Sequence, residues 1–292
     1  MSKILNSKFI LGTVQMGLTY GINNTKGKIS LDNSLKILEY AFDNGIETLD
    51  SAESYGNAHQ VIGIFHNKNL TKKFKVITKL PHQINEDIVK KVDRYLKELN
   101  ITQLDTLMFH SYASYKDNIE NFDVLKKLKS KNKIKNLGVS VYTNNEIDKV
   151  ILNEDVNVIQ VPFNLLDNIN LRNDILKKAK SKGKIIHTRS ALLQGLFFKD
   201  KNDSNMIVQN LKNELTLLSD ISKRDNVSIS ELALSYCLNQ KTIDNVLIGV
   251  DSMNQLINNI KTVNYSLKQK TIDSINAIKV QNLDLLNPSL WK

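Results

Sequence analysis

The chain has 292 residues, 41% of them apolar, a single cysteine at Cys237, and 40 Lys and Arg against 30 Asp and Glu, for a formal charge of +10. One cysteine excludes an internal disulfide framework and fits a reducing, cytoplasmic compartment. No stretch approaches 18 uninterrupted apolar residues, so no membrane helix is expected, and the N-terminal MSKILNSKFILG lacks the apolar core and cleavage site of a signal peptide.

Short apolar runs rich in branched residues alternate with amphipathic stretches. FILGTV (9–14) is the first candidate strand. Ser30 is a candidate N-cap for a helix through LDNSLKILEYAFDN, which Gly45 ends. IETLD (46–50) and FKVITKL (74–80) are the next strands. Asn85 is placed to cap EDIVKKVDRYLKEL. DTLMFH (105–110), KNLGVS (135–140), VNVIQVPF (156–163), KIIHTRS (184–190) and NVLIGV (245–250) complete a set of eight. Ser230 fits as a cap or first-turn residue for ELALSYCLNQ, and KQKTIDSINAIK reads as a last helix. The closing NLDLLNPSLWK reads as a tail folding back over the molecule, anchored by Trp291.

Nearly continuous apolar strands are covered on both faces, and strand–helix alternation implies parallel strands joined by right-handed crossovers. Eight such units close a (β/α)8 TIM barrel, and the length suits one. With 3 prolines, 11 glycines and no Ser/Gly-rich or charge-blocked tract, no linker is visible, so residues 1–292 are expected to form a single barrel domain of the α/β class with the C-terminal tail over its mouth.

The lysines are dispersed among apolar residues at helical spacing, as in DVLKKLKSKNKIK, which reads as solvated helix faces. There is no zinc-ligand pattern, aromatic-rich RNA motif or basic tail, so nucleic acid is not an expected partner, nor is a membrane. Whether the chain is a monomer or a homo-oligomer is open from sequence. No metal site is expected.

In a barrel of this kind the chemistry sits where strands end and βα loops begin. Those positions hold Asp50, Lys79, His110, Ser140, Gln160 and Ser190, with Tyr55 in the loop after Asp50. An acid, a phenol, an amine and an imidazole would converge on one mouth. The set suits proton donation to a carbonyl that accepts a hydride. A nearby ammonium lowers a phenol's pKa, a carboxylate holds the ammonium, and an imidazole can donate to the substrate oxygen. Taken singly, each residue has an ordinary reading as a cap, a loop aromatic, a solvated lysine or a structural histidine. Among the other histidines, His59 and His82 are candidate rim residues, while His66 and His187 carry no pattern. Cys237 falls within a helical apolar pattern, as inert core.

In their order along the chain these segments resemble the aldo-keto reductase superfamily. GTVQMGLTYG (12–21) is similar to its first strand and loop, and LDSAESYG (49–56) to its Asp-x4-Tyr signature. ITKL (77–80) carries the lysine and LDTLMFH (104–110) the histidine. GVS (138–140), IQVPFN (159–164), RSALLQGL (189–196) and IGVDSMNQLINNI (248–260) are similar to later cofactor and substrate segments.

The resemblance implies an enzyme, an NAD(P)H-dependent reductase of aldehydes or ketones. It implies Tyr55 as general acid/base, Asp50 and Lys79 tuning it, and His110 placing the carbonyl. It implies NADP(H) or NAD(H) bound extended across the mouth. Ser140 and Gln160, with Asp50 beside them, would hold the nicotinamide end. Arg189 would stack where many members place an aromatic ring. Gly12, Thr13, Ser190, Leu192 and Gly195 would lie along the coenzyme, and Gly249, Asp251, Gln255 and Asn259 at its far end. Many NADPH-preferring members have a basic residue where this chain has Asp251. An acid repels a 2′-phosphate and accepts from a ribose hydroxyl, which weakens the family's lean to NADPH. Lys261 could still reach a phosphate. No GxGxxG occurs, so a Rossmann domain is not supported.

Substrate contacts are expected from Met16, Tyr20, Tyr112, Phe163 and Trp291. The first-loop and VDSMNQL segments resemble members associated with bacterial sugar and polysaccharide metabolism, implying a keto-sugar or sugar nucleotide, with small aldehydes as the generic alternative. A redox-sensing subunit with little turnover is the alternative function on the same fold.

Overall fold

The computed structural model describes residues 6–291; the first five residues of the N-terminal stretch considered above lie outside that range. Eight parallel strands close a barrel in sequence order: β1 (Phe9–Gly12), β2 (Thr48–Asp50), β3 (Lys75–Leu80), β4 (Leu104–Phe109), β5 (Ile134–Ser140), β6 (Val158–Pro162), β7 (Ile185–Arg189) and β8 (Asn245–Ile248), with β8 pairing back onto β1. All eight predicted runs are strands. Several end before the apolar run does, because its last residues already turn out of the barrel: Val14 opens a helical turn, Val14–Gly17.

The surrounding helices are α1 (Leu31–Asp43), α2 (Ala58–Lys68), α3 (Ile88–Leu99), α4 (Phe122–Ser130), α5 (Asn144–Val150), α6 (Ile169–Ser181), α7 (Lys212–Asp225), α8 (Ile229–Leu238), α9 (Met253–Thr262) and α10 (Gln269–Asn276). The Ser30 hydroxyl accepts from the Asn33 N–H and caps α1, and Gly45 beyond its end has a positive φ of 88°. Asn85 is not a cap. Asp87, two residues on, accepts from the Lys90 N–H at 2.9 Å and starts α3 there. Ser230 sits in the first turn of α8, whose cap is Ser228, in a reciprocal pair with Glu231.

The core lies in two places. A large cluster fills the space between strands and helices, with Phe9, Leu11, Leu49, Val76, Leu107 and Phe109 contributing from the strands. A smaller one, Ile10, Ile77, Met108 and Val158, packs against itself separately, as side chains inside the barrel do. Successive strand residues point to opposite faces. Gly12, Asp50, Lys79, His110 and Gln160 therefore share the inward parity of Ile10, Ile77, Met108 and Val158, displaced toward the strands' C-terminal ends. The register carries this around the barrel: Gly12 pairs with Asp50, Asp50 with Ile77, Lys79 with Met108, Ser140 with Gln160, and Pro162 with Arg189.

After α10 the tail makes two short 3-10 turns, Leu283–Leu286 and Pro288–Leu290. The Trp291 indole N–H donates to the Leu285 carbonyl at 3.1 Å, so Trp291 folds the tail on itself and packs against the core. Among the described residues no helix is long and apolar enough to cross a membrane, and no three His, Cys, Asp or Glu are grouped so as to hold a metal.

Candidate active site

Asp50 and Lys79 end on adjacent strands and meet inside the barrel. Lys79 Nζ donates to Asp50 Oδ1 at 2.5 Å and to the Ser51 carbonyl at 3.1 Å, and both side chains are almost wholly buried. The second carboxylate oxygen accepts from Gln160 Nε2 at 2.8 Å. Thr13 holds the Asp50 carbonyl twice, through its N–H and its hydroxyl, each at 3.0 Å.

Tyr55 is placed by packing as much as by sequence. A β-carbon on Gly17 would lie 1.7 Å from the Tyr55 carbonyl oxygen, so only glycine lets the first loop close against the second. Lys79 Nζ sits 5.3 Å from the centre of the Tyr55 ring, and the His110 ring meets that ring edge-on with centres 5.9 Å apart. His110 Nδ1 faces the Ser54 hydroxyl at 3.5 Å, and the exposed His82 ring stacks on His110 at 5.1 Å. The four residues of the predicted relay are thus neighbours.

Burial dominates their ionisation. It raises the Tyr55 phenol well above its ordinary value; the Asp50 carboxylate adds to this, and the Arg189 guanidinium opposes it. Among the charges acting on the phenol the opposing cation is Arg189 rather than the expected Lys79, and the loss of water prevails over it. Burial lowers Lys79 while Asp50 resists. Burial, with Lys79, His82 and Arg189 nearby, pushes His110 down to about 3, so it is a neutral imidazole at neutral pH.

A cavity of about 730 Å³ opens from these residues along the C-terminal ends of β6, β7, β8 and β1. Asp50 and Tyr55 line its inner end, and Gln160, Arg189, Ser190, Leu192, Gly195 and Gly12 its middle. Gly249, Asp251, Gln255, Asn259 and Lys261 line the far end. Thr13 and Ser140 are not on its wall. Thr13 lies beneath, on Asp50, and the Ser140 hydroxyl accepts from Arg189 Nε at 3.3 Å. Lys79 and His110 stand beside Tyr55, off the wall. A groove of similar volume, about 760 Å³, lies on the outer surface around α6 and touches none of the strand-end residues.

Of the expected substrate contacts, Tyr20 lines the cavity, its hydroxyl accepting from Gln194 Nε2 at 2.8 Å. Four others do not reach it. Met16 is buried core in the turn Val14–Gly17, held there by the tight packing of that turn. Phe163 is fully buried, stacked on Tyr236 at 5.6 Å, because β6 turns its side chain outward under α8. Tyr112 opens a short helical turn and lies near Lys149. Trp291 holds the tail, and Pro288 is the tail residue that meets the cavity. His59 is not on the rim: it is buried behind the barrel between Glu98 and Thr78.

The sequence reading missed Gln15, Tyr142, Asn23 and Gln194, all on the cavity wall. Arg189 stacks on the Tyr142 ring at 4.0 Å. Gln15 and Tyr142 lie two or three residues past a strand end, so reading further into each loop would have found them. Gln194 is held in a left-handed conformation beside Gly195 by the β7 loop, which carries no sequence signal.

The aldo/keto reductase family model matches residues 8–280 of this chain. The chain belongs to the aldo/keto reductase family. It is 24% identical to D-arabinose 1-dehydrogenase of Saccharomyces cerevisiae over 88% of this chain and 83% of that one. It is 26% identical to L-galactose dehydrogenase of Arabidopsis thaliana over 88% of each. The fold superposes on an aldo/keto reductase from Klebsiella pneumoniae solved with NADP and acetate, with a TM-score of 0.70 and 16% identity, covering 94% of this chain and 93% of that one. As a member of this family the chain is an oxidoreductase, and the closed eight-stranded barrel is the family's fold.

Polar atoms in the cavity test whether a dinucleotide fits. Gln15 Oε1, Asp251 Oδ1 and Asn259 Nδ2 are buried with no hydrogen-bond partner in the protein. Orphaned groups of this kind are costly unless something supplies the missing bonds. All three belong to residues on the wall of the elongated cavity, beside Gly12, Gly195 and Gly249. The residues present therefore fit an extended, hydrogen-bonding ligand reaching from Asp50 to Asn259.

Proposed function

We propose that the protein interconverts a carbonyl and an alcohol on a hydroxylated, sugar-like substrate, with a nicotinamide coenzyme lying in the groove from Gln160 to Asn259. The carrying observation is that Tyr55 faces the inner end of that groove with Lys79, Asp50 and His110 packed around it. The coenzyme, when bound, supplies the hydride for reduction or takes it in oxidation.

Everything else falls to this chain. Tyr55 is the proton donor to the carbonyl oxygen. Its raised pKa keeps the phenol protonated across the neutral range, as a donor requires. Lys79, fixed by Asp50 and the Ser51 carbonyl, stabilises phenolate as the proton leaves. His110, neutral and held near Ser54, offers an N–H that orients the carbonyl oxygen. Gln160, Arg189 and Ser190 line the place of the nicotinamide end. Asp251, Gln255 and Asn259 line that of the adenosine end.

The substrate end of the cavity favours polyhydroxylated compounds: Tyr20, Asn23, Gln194 and Tyr142 on its wall carry hydroxyl and amide groups. The relatives named for D-arabinose and L-galactose oxidation support the same class. A keto-sugar or sugar nucleotide falls within it. The test is steady-state turnover with NADPH and NADH against aldoses, keto-sugars, sugar nucleotides and small aldehydes. Turnover restricted to small unfunctionalised aldehydes would overturn the sugar assignment. Tight coenzyme binding without turnover of any carbonyl would overturn the enzymatic one.

A further inference from the structure

The loop that carries Tyr55 is held by groups that no step above uses. Glu53 lies in it, between Asp50 and Tyr55. Its carboxylate accepts from Lys91 Nζ at 3.0 Å on each oxygen, from Arg94 Nη2 at 3.0 Å, and from the Tyr95 hydroxyl. All three donors are on α3, the helix that follows the strand bearing Lys79. The Glu53 backbone N–H donates to the Lys79 carbonyl at 3.2 Å.

A second line runs from the same helix to the other arm of the site. His59 of α2 bonds Glu98 of α3 at 3.1 Å through Nδ1 and the Thr78 hydroxyl at 2.7 Å through Nε2, and Thr78 precedes Lys79. The His59 ring also meets Tyr95 edge-on. Arg94 joins the two lines, contacting Glu53, Glu86 and Glu98, while Lys91 also pairs with Glu86.

This is not an ordinary surface pair. Lys91 and Tyr95 are buried, so their polar ends need partners: Glu53 serves both, and Glu86 also pairs with Lys91. Burial alone would raise the Glu53 carboxyl, yet the Tyr95 hydroxyl, Lys91 and Arg94 together hold it below its usual range. The loop is therefore pinned at Glu53, two residues from the phenol, by three donors of one helix.

We infer that Glu53 is a positioning residue for the reaction: through it α3 sets where the Tyr55 hydroxyl stands relative to Lys79 and His110. A displacement of a reacting group by about 1 Å is enough to cost on the order of 100-fold in rate. The inference rests on the assignment of Tyr55 as proton donor. Glu53 is not on the wall of the cavity.

The test uses the full-length protein and the variants Glu53→Gln, Glu53→Asp, Tyr95→Phe and Tyr55→Phe. Tyrosine labelled with carbon-13 at Cζ gives each phenol a resonance, and Tyr55→Phe assigns one of them to Tyr55. The expected result is a shift in the position of the Tyr55 signal in Glu53→Gln. With NADPH and 4-nitrobenzaldehyde as probe, kcat should fall about tenfold while the NADPH Kd, read by fluorescence, stays within about twofold. Glu53→Asp should recover part of the loss. If Glu53→Gln fails to fold, Tyr95→Phe, which removes one hydroxyl, carries the test with a loss of about threefold. An unchanged Tyr55 signal in a folded Glu53→Gln or Tyr95→Phe protein overturns the inference. Unchanged turnover in Tyr55→Phe would instead overturn the proton-donor assignment, so the two failures are distinct.

Discussion

Asp50 and Lys79 form a buried ion pair, Oδ1 to Nζ at 2.5 Å, between residues that are neighbours only because β2 and β3 pair in register. Neither charge has water to return to. Gln160 on the far side of the barrel takes the remaining carboxylate oxygen, and the Ser51 carbonyl takes a second lysine proton. Removing one partner of such a pair strands the other and costs about 3–5 kcal/mol. Lys79→Met should therefore lower the unfolding free energy by about that much, measured by urea denaturation. Adding Asp50→Asn to it should restore a large part of the loss. A double variant no more stable than the single one would show that the pair is not what holds this part of the barrel.

Removing the Tyr55 hydroxyl should separate chemistry from binding. Tyr55→Phe is expected to lower kcat by about 100-fold or more, the scale of general acid assistance, while NADPH affinity changes little. Stopped-flow single turnovers give the chemical step directly, and an unaltered rate would remove Tyr55 from the mechanism.

Gly17 offers a purely steric test of the same geometry. A methyl there would stand 1.7 Å from the Tyr55 carbonyl oxygen, a backbone atom that cannot step aside. Gly17→Ala should force the Tyr55 loop away. The expected outcome is a loss of about 1–3 kcal/mol in stability from overpacking and a drop in kcat larger than in kcat for a control such as Gly183→Ala. Gly183 has open space around its β-carbon position, so its own positive φ is the only strain there. Equal effects at the two sites would argue against the close approach.

His187 should govern part of the acid stability. It lies almost wholly buried in the barrel, its Nδ1 has no partner, and burial pushes its pKa down to about 4. The folded state thus refuses a proton that the unfolded chain accepts near its ordinary value of about 6.5. Stability is complete above that value and is lost as pH falls from about 6.5 toward 4. At about 1.4 kcal/mol per unit, the loss is on the order of 3 kcal/mol. His110, lowered further, adds to the same trend. Thermal unfolding across pH 7 to 4 should show the fall, and His187→Asn should flatten it; an identical slope in the variant would locate the effect elsewhere.

Coenzyme choice should turn on Asp251. It lines the far end of the cavity with Oδ1 unpaired, while its backbone N–H donates to Gln255 Oε1 at 2.7 Å. The orphaned carboxylate oxygen suits a ribose hydroxyl and opposes a 2′-phosphate. Lys261 on the same wall works the other way. Replacing Asp251 with Asn should raise the ratio of kcat/KM for NADPH over NADH by on the order of tenfold, one step of about 1.4 kcal/mol. A ratio that stays constant would leave Lys261 as the deciding group.

Much of this was legible in the residues. Eight apolar runs separated by amphipathic stretches dictated eight buried parallel strands, because a strand covered on both faces has no polar side to spare. The parity of those strands sent Asp50, Lys79, His110 and Gln160 inward, and their places at the strand ends brought them to one mouth. These are local rules, set by the two-residue repeat and by hydrophobic burial, and they need no knowledge of what packs against what.

The tertiary structure alone decided the rest. Met16 and Phe163 look like mouth residues along the chain, yet packing against neighbouring helices buries them away from it. The phenol's ionisation followed from how much water the closed barrel excludes, which no spacing reveals. Glu53 reads as one more acid in a polar loop until α3 brings Lys91, Arg94 and Tyr95 around it. Burial and long-range contact are properties of the whole packed assembly, so they appear only when distant segments meet.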